Sequence, residues 1–422
     1  MTVGLKSPRY AERLAAPASK SAAHRALIAA AFADHKTELV MRTSCDDIDA
    51  TARCLCALGV KIDKTANGFT VTPVPRDRVA KNATLDCGES GSTLRFLLPV
   101  CAALGANATF LRRGRLPKRP LAPLDAQLIK HGLTITENGE ALLTKGKIGA
   151  GDYSIAANVS SQYITGLLFA LSLLDAPSTL TLEGKVESAP YIDMTVDTLA
   201  RFGAPPKAQN GKAGFLVAGY SALPLRSPKE ITPEGDFSGA AFPLALGAIG
   251  THPVTVTGLT LPSLQGDSAI LTLLERFGAR VEREANRVTV SPQPLHGIDI
   301  DATQIPDLVP ILAVVAARAQ GTTRITGAAR LALKESDRLA AITAFLQTLG
   351  GDVTRHADGL TIKGGKPLHG GTVDVCGDHR IAMSAAAAAL LTEEPITIPH
   401  AECVGKSYPT FFDEAVLATD KE

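Results

Sequence analysis

The chain repeats one pattern five times: a helical segment that ends at a glycine, a short alternating strand, a turn and a second strand. The glycines at the helix ends are Gly59, Gly132, Gly203, Gly278 and Gly350, which lie 73, 71, 75 and 72 residues apart. Glycine suits the left-handed conformation that ends many helices, and pairs such as Asn67-Gly68 suit tight hairpin turns. A period near 72 residues fits almost six times into the 422 residues, so the pattern predicts six α/β units.

The sixth unit lacks a hairpin of its own, because its expected helix near Tyr408–Leu417 lies almost at the end of the chain. We expect the N-terminal residues, around Val3–Ser7, to supply a strand, so that both termini lie in one domain. Six units favour two domains of three units each, with the proline-rich stretch Pro224–Pro233 as the crossover. The predicted domains are residues 20–229 and residues 1–19 with 230–422. The alternative is an ordinary α/β chain whose glycine spacing is coincidental.

Composition excludes several classes of protein. There are 43 Lys and Arg against 42 Asp and Glu, a balance that argues against a dedicated nucleic-acid binder. Hydrophobic residues make up 45%, which fits a globular chain and not a disordered one. The seven cysteines are odd in number and have no Cys-x-x-Cys spacing, so we expect free thiols and no zinc site. We see no signal peptide and no membrane-length apolar run, and we expect a cytoplasmic protein.

Two segments in the first half lead from a polar loop into an apolar helix. Pro17–Ser21 precede an Ala-rich helix that places Lys20, Ser21 and Arg25 near its positive end, which suits an anion. The Gly/Ser loop within Asp86–Arg95 exposes backbone N–H groups that suit phosphate or carboxylate. It lacks the Gly-Lys-Ser/Thr ending of a P-loop. A capped surface helix explains each segment, taken alone, nearly as well.

Two further segments of the first half are polar or basic. Arg112–Arg119 holds five cations in eight residues, and arginine grips phosphate and carboxylate with two parallel hydrogen bonds. The run itself contains no aromatic residue to stack bases, so a nucleic-acid patch is not expected. Ser160-Ser161-Gln162 enters a helix predicted from Tyr163 to Leu173. A solvated loop and a plain helix start are the alternatives.

The second half carries charged strings at predicted helix starts. Lys334–Arg338 and Asp378–Arg380 combine cations with carboxylates, and Asp307 follows a proline in Ile305–Asp307. Glu335 or Ser336, and separately Asp378, are candidate helix caps. Asp307, Glu335 and His379 are candidates for acid–base chemistry. Because cations recur at loop-to-helix junctions in both halves, we expect a cleft between two domains that holds a pair of multiply anionic ligands.

Together these segments resemble the enolpyruvyl transferase family, in the family's order, from Pro17-Ala-Ser-Lys-Ser through Lys406-Ser-Tyr-Pro. The strings Lys334–Leu339 and Asp378–Met383 are similar to those of the branch that acts on shikimate 3-phosphate. The resemblance implies a two-domain inside-out α/β barrel, or prism, of six βαβαββ repeats, with three repeats per domain and the active site in the interdomain cleft. It also implies a monomer that binds small molecules, and neither nucleic acid nor a membrane.

The implied reaction transfers the enolpyruvyl group of phosphoenolpyruvate to the 5-hydroxyl of shikimate 3-phosphate and releases phosphate. It proceeds by addition and then elimination, without an organic cofactor or a metal. The resemblance assigns proton transfer at the 5-hydroxyl to Asp307 and at the methylene carbon to Glu335. It assigns Lys20 to phosphoenolpyruvate and its departing phosphate, and His379 to support of the site.

The resemblance also implies two sets of ligand-binding residues. Those for phosphoenolpyruvate are Lys20, Gly91, Arg119, Gln162, Arg338, Arg380 and Lys406. Those for shikimate 3-phosphate are Lys20, Ser21, Arg25, Ser160, Ser161, Gln162, Ser188, Tyr191, Asp307 and Lys334. Three positions depart from the family pattern: Ala18 replaces a common glycine, and Glu89 and Arg330 each replace a common asparagine.

Two other functions fit parts of the pattern. The branch of the family that acts on UDP-N-acetylglucosamine typically has a reactive cysteine in the loop that matches Arg112–Arg119, and this loop has none. A non-catalytic repeat protein that binds anions would explain the cations. The carboxylates of Asp307 and Glu335 argue against it, because they weaken an anion site unless they transfer protons.

Overall fold

A computed structural model of the chain describes residues 1–417 and 420–421, which form a mixed α/β fold. The α-helices of this part are α1 (Lys20–Ala31), α2 (Asp46–Ala57), α3 (Gly91–Leu104), α4 (Leu124–Lys130), α5 (Ser161–Ser172), α6 (Ala189–Arg201), α7 (Phe237–Ile249), α8 (Ile270–Phe277), α9 (Val309–Arg318), α10 (Arg338–Thr348), α11 (His379–Ala388) and α12 (Phe411–Glu414). None of these described helices has the length and apolar character that a membrane span requires.

The strands are short and follow the helices along the chain. They are β1 (Val3–Leu5), β2 (Arg9–Tyr10), β3 (Arg13–Ala15), β4 (Thr37–Val40), β5 (Lys61–Thr65), β6 (Gly68–Thr72), β7 (Asn82–Asp86), β8 (Asn107–Leu111), β9 (Leu133–Asn138), β10 (Ala141–Gly146), β11 (Asp152–Ala156), β12 (Ser178–Glu183), β13 (Lys207–Ala208), β14 (Gly214–Val217), β15 (Glu230–Ile231), β16 (Val254–Thr257), β17 (Arg280–Glu284), β18 (Arg287–Ser291), β19 (Asp299–Asp301), β20 (Gly321–Thr326), β21 (Asp352–His356), β22 (Gly359–Gly364), β23 (Gly371–Thr372), β24 (Ile396–Ile398), β25 (Val416–Leu417) and β26 (Asp420–Lys421).

The chain divides into two compact units. The central unit is Lys20–Pro233, and the terminal unit is Met1–Ser19 together with Glu234–Glu422. The sheets of the central unit have the strand orders β15-β4-β6-β5, β7-β8-β10-β9 and β11-β12-β14-β13. The four-stranded sheets of the terminal unit are β17-β18-β16-β3, β19-β20-β22-β21 and β23-β24-β1-β26, and β2 pairs with β25.

All six four-stranded sheets share one pairing pattern. In each, one edge strand pairs parallel with its neighbour and the other two pairings are antiparallel, as in β7 with β8, β8 with β10 and β10 with β9. Strands distant in sequence complete some sheets. In the terminal unit β1 pairs antiparallel with β24, so Val3 lies opposite Ile398, and in the central unit β15 pairs parallel with β4.

The five glycines at the predicted helix ends all have the expected conformation. Gly59, Gly132, Gly203, Gly278 and Gly350 have φ angles of 100°, 110°, 79°, 115° and 81°. A residue with a side chain rarely adopts this left-handed conformation, which lets the chain reverse after the helix. An antiparallel hairpin follows each glycine, so this part of the prediction is confirmed.

The helix expected near Tyr408–Leu417 is shorter than predicted. The structure has a single helical turn, α12, because Pro409 lies just before it and the chain enters a strand just after it. Val416 of that strand pairs with Tyr10 of β2. The pairing with an N-terminal strand replaces the last predicted helical residues.

Each four-stranded sheet packs against one buried helix: α1, α3 and α5 in the central unit, and α7, α9 and α11 in the terminal unit. Every residue of α7 and α11 is buried. The alanines and glycines of the six buried helices allow the backbones of neighbouring elements to approach closely. On α5, a Cβ added to Gly166 would lie 2.3 Å from the Arg95 carbonyl oxygen of α3. These six helices are the most buried helices of the two units, and about half of the candidate site residues lie at their N-terminal ends.

Candidate active site

The starts of the buried helices hold about half of the predicted site residues. In the central unit α1 begins at Lys20, α3 at Gly91 and α5 at Ser161. In the terminal unit Asp307 lies in the short 3-10 turn before α9, and α11 begins at His379. The first turn of a helix has N–H groups without helical partners and a partial positive charge, so these ends favour anions.

Arg25 is a buried cation whose hydrogen bonds go to uncharged groups. Its guanidinium donates to Thr195 Oγ1 at 2.9 Å, Thr165 Oγ1 at 3.1 Å, and the carbonyl oxygens of Ser21 at 2.7 Å and Tyr191 at 2.7 Å. The residue is 2% exposed, and burial lowers its pKa to about 10. Within the described part of the chain no carboxylate pairs with it. A buried guanidinium of this kind needs an anion to offset its lost hydration.

Lys20 is held by an acidic residue that the sequence did not single out. Its Nζ lies 2.8 Å from Asp47 Oδ2 of α2, and both side chains are mostly buried. The contact fixes the ammonium group at the start of α1. Asp47 stands in an acidic run, Asp46-Asp47, where sequence alone does not distinguish it from a helix-start residue.

Gly91 lies against two arginines. A Cβ added to it would be 2.7 Å from Arg119 Nη1 and 2.9 Å from Arg95 Nη1, so a side chain at this position would displace the two guanidinium groups from their present places. Arg95 Nη1 donates to Gln162 Oε1 at 2.8 Å, and Gln162 Nε2 donates to Ser92 Oγ at 3.0 Å. The structure therefore brings Gly91, Arg119 and Gln162 together, and adds Arg95 as a residue that the sequence interpretation missed.

The predicted serines lie at two other helix starts of the central unit. Ser160 is the N-cap of α5 and accepts a hydrogen bond from Gln162 N at 3.3 Å, and Ser161 begins the helix. Ser188 is the N-cap of α6 and is 3% exposed. Its φ of 55° is unusual for a residue with a side chain, and such conformations are common at ligand-binding positions.

In the terminal unit, three cations converge on Asp307. Arg338 Nη1 lies 2.7 Å from Oδ1, Lys334 Nζ lies 3.4 Å from the same oxygen, and Arg380 Nη2 lies 3.4 Å from Oδ2. Arg380 also donates to the Asp307 carbonyl oxygen at 3.2 Å. Burial lowers the pKa of Lys334, and the Asp307 carboxylate partly offsets this effect.

Arg338 links Asp307 to Glu335. Its Nη2 donates to Glu335 Oε2 at 2.8 Å, and its Nε donates to Asp378 Oδ2 at 2.8 Å. Burial lowers the pKa of Arg338, but Asp378, Glu335 and Asp307 raise it further and hold it above its ordinary value. For Asp378 the effects have the opposite sign. Burial raises the pKa of its carboxyl group, but the positive charges of Arg338 and His379 lower it more, so that it lies below its ordinary value. Asp378 is thus the buried counter-ion of this cluster.

The other predicted residues of the terminal unit lie near the start of α11. His379 Nδ1 is 3.9 Å from Asp378 Oδ1, and Lys406 Nζ donates to the Gly377 carbonyl oxygen at 2.8 Å. One helix-cap prediction is confirmed, since Asp378 caps α11 by accepting from Arg380 N. The other is wrong: neither Glu335 nor Ser336 caps α10.

The cap of α10 is Asp337, which accepts from Ala340 N at 3.1 Å. Ser336 instead donates to Asp378 Oδ2 at 3.0 Å, and Glu335 pairs with Arg338. The neighbours Glu335 and Ser336 are therefore engaged by the buried ion cluster, which leaves Asp337 to satisfy the first turn of the helix.

A further acid in the terminal unit, Asp267, was not predicted. It is 1% exposed, accepts a hydrogen bond from Ser238 and has its other oxygen, Oδ1, buried without a partner. Burial raises its pKa to about 7, and the charge of Asp307 adds to the rise. The carboxyl of Asp267 is therefore substantially protonated at neutral pH.

The three departures from the family pattern have distinct surroundings. Ala18 forms an isolated β-bridge with Gly235 in the terminal unit. The Glu89 carboxyl group lies against Gly114, where an added Cβ would be 2.5 Å from Glu89 Cδ. Arg330 donates to the Thr303 carbonyl oxygen at 2.8 Å.

The site residues define a class of protein: an α/β protein with buried cations at helix starts and two carboxylates held by one arginine. Comparison with known proteins narrows this class. The family model for EPSP synthase (3-phosphoshikimate 1-carboxyvinyltransferase) matches residues 6–415. A 3-phosphoshikimate 1-carboxyvinyltransferase of Clostridium kluyveri is 41% identical over 405 residues, which cover 94% of this chain and 92% of the relative.

A second relative of that name, from Clostridium novyi, is 39% identical over 94% of this chain and 93% of its own. Among solved structures, an EPSP synthase from Acinetobacter baumannii superposes with a TM-score of 0.81 at 26% identity, covering 99% of this chain and 98% of that one. The chain belongs to the EPSP synthase family. The resemblance inferred from the motifs is therefore confirmed.

Proposed function

We propose that this chain transfers the enolpyruvyl group of phosphoenolpyruvate to the 5-hydroxyl of shikimate 3-phosphate and releases inorganic phosphate, a step of aromatic amino acid biosynthesis. Membership of the EPSP synthase family supports this function. The observation that carries it is the pairing of Asp307 and Glu335 with one guanidinium, that of Arg338, at 2.7 and 2.8 Å. Two carboxylates held this way can exchange protons with two nearby atoms of bound substrates.

The cations of both units act on the anionic groups of the substrates. Phosphoenolpyruvate and shikimate 3-phosphate each carry a phosphate and a carboxylate, whose repulsion and desolvation require several buried positive charges. Arg25, whose partners in the described part are hydroxyl and carbonyl oxygens and not carboxylates, supports an anion site in the central unit. That Ser21 and Tyr191 belong to this site is what the family resemblance implies. The ligand sets are those inferred above from the family resemblance.

The reaction has two steps, addition and elimination, and each step needs two proton transfers. In the addition step the 5-hydroxyl oxygen attacks C2 of phosphoenolpyruvate as Asp307 takes the hydroxyl proton, while Glu335 gives a proton to the C3 methylene. This forms a tetrahedral intermediate with a methyl group. In the elimination step Glu335 takes a methyl proton back as the C2–O bond to phosphate breaks, and Lys20 donates to the departing phosphate. Glu335 thereby returns to its starting state, whereas Asp307 ends the two steps holding the hydroxyl proton and Lys20 ends them without the proton that left with phosphate. Loss of the Asp307 proton to solvent and uptake of a proton by Lys20 restore both groups.

Lys334 and Arg380 orient the Asp307 carboxylate, since each has a nitrogen 3.4 Å from one of its oxygens. Arg338 holds both carboxylates through its Nη atoms and is itself anchored by Asp378. We therefore assign to Arg338 the orientation of the acid–base pair, besides the phosphoenolpyruvate contact that the family resemblance implies.

We further propose that the six sheets correspond to six βαβαββ repeats in an inside-out barrel, three per unit. The shared pairing pattern of the sheets supports this arrangement. A monomer in the cytoplasm, and an active site in the cleft between two domains, stay predictions of the family resemblance.

Release of inorganic phosphate tests the function. The protein is mixed with phosphoenolpyruvate and either shikimate 3-phosphate or UDP-N-acetylglucosamine. We expect phosphate with shikimate 3-phosphate alone. Release with the nucleotide sugar alone would assign the chain to the other branch of the enolpyruvyl transferases, and no release from folded protein would favour a non-catalytic anion binder.

A further inference from the structure

A chain of buried hydrogen bonds runs beneath the proposed ligand-binding residues of the central unit. His24 Nδ1 lies 2.7 Å from Thr51 Oγ1, which lies 2.7 Å from Thr93 Oγ1. The Thr93 hydroxyl donates to Ser90 Oγ at 2.8 Å. These four side chains, which we call the His24 chain, connect α1, α2 and the start of α3, and all are at most 1% exposed.

The members of the His24 chain lie one helical turn from residues of the candidate site. His24 follows Lys20 by four residues on α1, and Thr51 follows Asp47 by four residues on α2. Thr93 lies two residues after Gly91, at the start of α3. Residues three or four apart share one face of a helix. The hydrogen bonds therefore connect α1 and α2, which the Lys20–Asp47 ion pair also joins, one turn further along, and they extend this connection to the start of α3.

The imidazole of His24 is neutral. Burial lowers its pKa to about 3, and the Asp47 charge only partly opposes this effect. Nε2 is buried and has no hydrogen-bond partner. A buried N–H without an acceptor costs more free energy than a bare lone pair, so we place the hydrogen on Nδ1, from which it donates to Thr51.

An apolar side chain in place of His24 would fill the same volume at a lower cost in desolvation free energy. The His24 ring already packs edge-on against Phe96, with ring centroids 6.1 Å apart, as a phenyl ring would. Burying an imidazole and three hydroxyls is costly unless each is paired, but a paired network allows only one relative placement of the helices that bear it. Because these helices also bear Lys20, Asp47 and Gly91, the network fixes the positions of these three residues relative to one another.

We propose that His24 is a positioning residue for enolpyruvyl transfer, which acts through Thr51 and Thr93 to fix Lys20 and Gly91 relative to each other. The proposal rests on the proposed function for its kinetic consequence, but its structural consequence can be measured separately. His24 touches no substrate in this account. It sets the distance between the ammonium group of Lys20 and the backbone N–H groups at the start of α3.

The test compares three variants. His24→Phe keeps the ring packing and removes the hydrogen bond, and His24→Asn retains an N–H near the position of Nδ1. Ile28→Val is the control, since Ile28 is fully buried one turn further along α1 and has no part in the network. We expect kcat/KM for phosphoenolpyruvate to fall about tenfold in His24→Phe, the effect of one lost buried hydrogen bond, and to stay within about threefold of wild type in His24→Asn.

Amide hydrogen exchange provides the readout that does not depend on turnover. We expect faster exchange in residues 45–51 and 88–93 of His24→Phe, and unchanged exchange there in Ile28→Val and His24→Asn. If His24→Phe fails to fold, Thr51→Val interrupts the same network with a residue of similar shape and carries the same expectations.

The outcomes separate the two proposals. Wild-type protein that releases no phosphate would contradict the proposed function, while the exchange data would still decide whether His24 positions the two segments. Active wild-type protein with unchanged kinetics and exchange in His24→Phe would overturn the positioning role alone. An equal kinetic loss in Ile28→Val would also overturn it, because general destabilisation would then explain the effect.

Discussion

Two deeply buried arginines, Arg25 of the central unit and Arg338 of the terminal unit, are held in opposite ways. In the central unit, Arg25 donates to hydroxyl and carbonyl oxygens, so its positive charge is not neutralised by the described residues of the protein. In the terminal unit, Arg338 is as deeply buried but contacts three carboxylates. Under the proposed function, we expect Arg25 to supply charge for an anionic group of a substrate and Arg338 to orient the carboxylates that transfer protons.

The largest expected effect is on the proton-transfer pair. Glu335→Gln keeps the shape and one hydrogen-bond acceptor for Arg338 but removes the proton donor, so we expect turnover to fall about a thousandfold or more. Binding of shikimate 3-phosphate, measured by calorimetry, should stay near wild type. Glu393→Gln, at an exposed position, is the matched control. Near-normal turnover in Glu335→Gln would contradict the assigned role.

The second-largest effect is on the free energy of unfolding, and we expect it to differ between substitutions of Arg338 and of Arg25. Arg338→Met leaves the buried carboxylate of Asp378 without its main partner, so we expect the free energy of unfolding to fall by about 3–5 kcal/mol. Urea titration monitored by circular dichroism measures it. Adding Asp378→Asn should recover part of the loss, and a double variant no more stable than Arg338→Met would argue against the ion cluster as the cause.

The same substitution at Arg25 should mainly affect binding. No buried carboxylate is left unpaired in Arg25→Met, so we expect a smaller loss of stability than in Arg338→Met. Affinity for shikimate 3-phosphate should fall about a hundredfold, since charge-assisted hydrogen bonds to the anion are lost. Calorimetric titration of both variants provides the comparison. An unchanged dissociation constant in Arg25→Met would remove the basis for an anion site in the central unit.

The smallest effect concerns Asp267 and depends on pH. Its pKa is about 7 in the folded protein against an ordinary value of 3.8, so the folded state binds the proton more tightly than the unfolded state. Its contribution to stability is therefore fully present below pH 3.8 and is lost as the pH rises through 7. Asp267→Asn removes this dependence.

We expect the melting temperature of Asp267→Asn, relative to wild type, to rise by several degrees between about pH 4 and about pH 8, a range that begins just above the ordinary pKa of 3.8 and extends past the folded-state pKa of about 7. Differential scanning calorimetry over this range measures it. Asp77→Asn, at an exposed position, should show a constant difference. A difference for Asp267→Asn that does not grow with pH would contradict a protonated carboxyl at this position.

The sequence predicted the features that local chemistry determines. Glycine spacing identified the five helix ends, since a left-handed cap leaves a signature at one position. The motifs at Lys20, Gly91 and Arg380 correctly predicted helix starts, because capping residues and loops precede them in sequence.

Contacts between side chains that are distant in sequence could not be predicted, because no local sequence pattern indicates which residues the fold brings together. Asp47 is one of several acids at the start of α2, and Asp267 is a lone acid in its segment. Their contacts with Lys20 and Ser238 join residues 27 and 29 positions apart. The basic run Arg112–Arg119 is divided by the fold in a way that the sequence does not reveal. Arg112 is buried and bound to the β9–β10 turn, whereas Arg119 lies beside Gly91.

The central claim is that Glu335 of the terminal unit moves a proton to and from the C3 carbon of phosphoenolpyruvate. The direct measurement is turnover in D₂O, followed by mass spectrometry of the organic product. The account predicts deuterium in the vinyl group made by wild-type protein, because the methyl group of the intermediate exchanges a proton with solvent through Glu335. Product that forms without deuterium would contradict the addition–elimination route and the role of Glu335 in it.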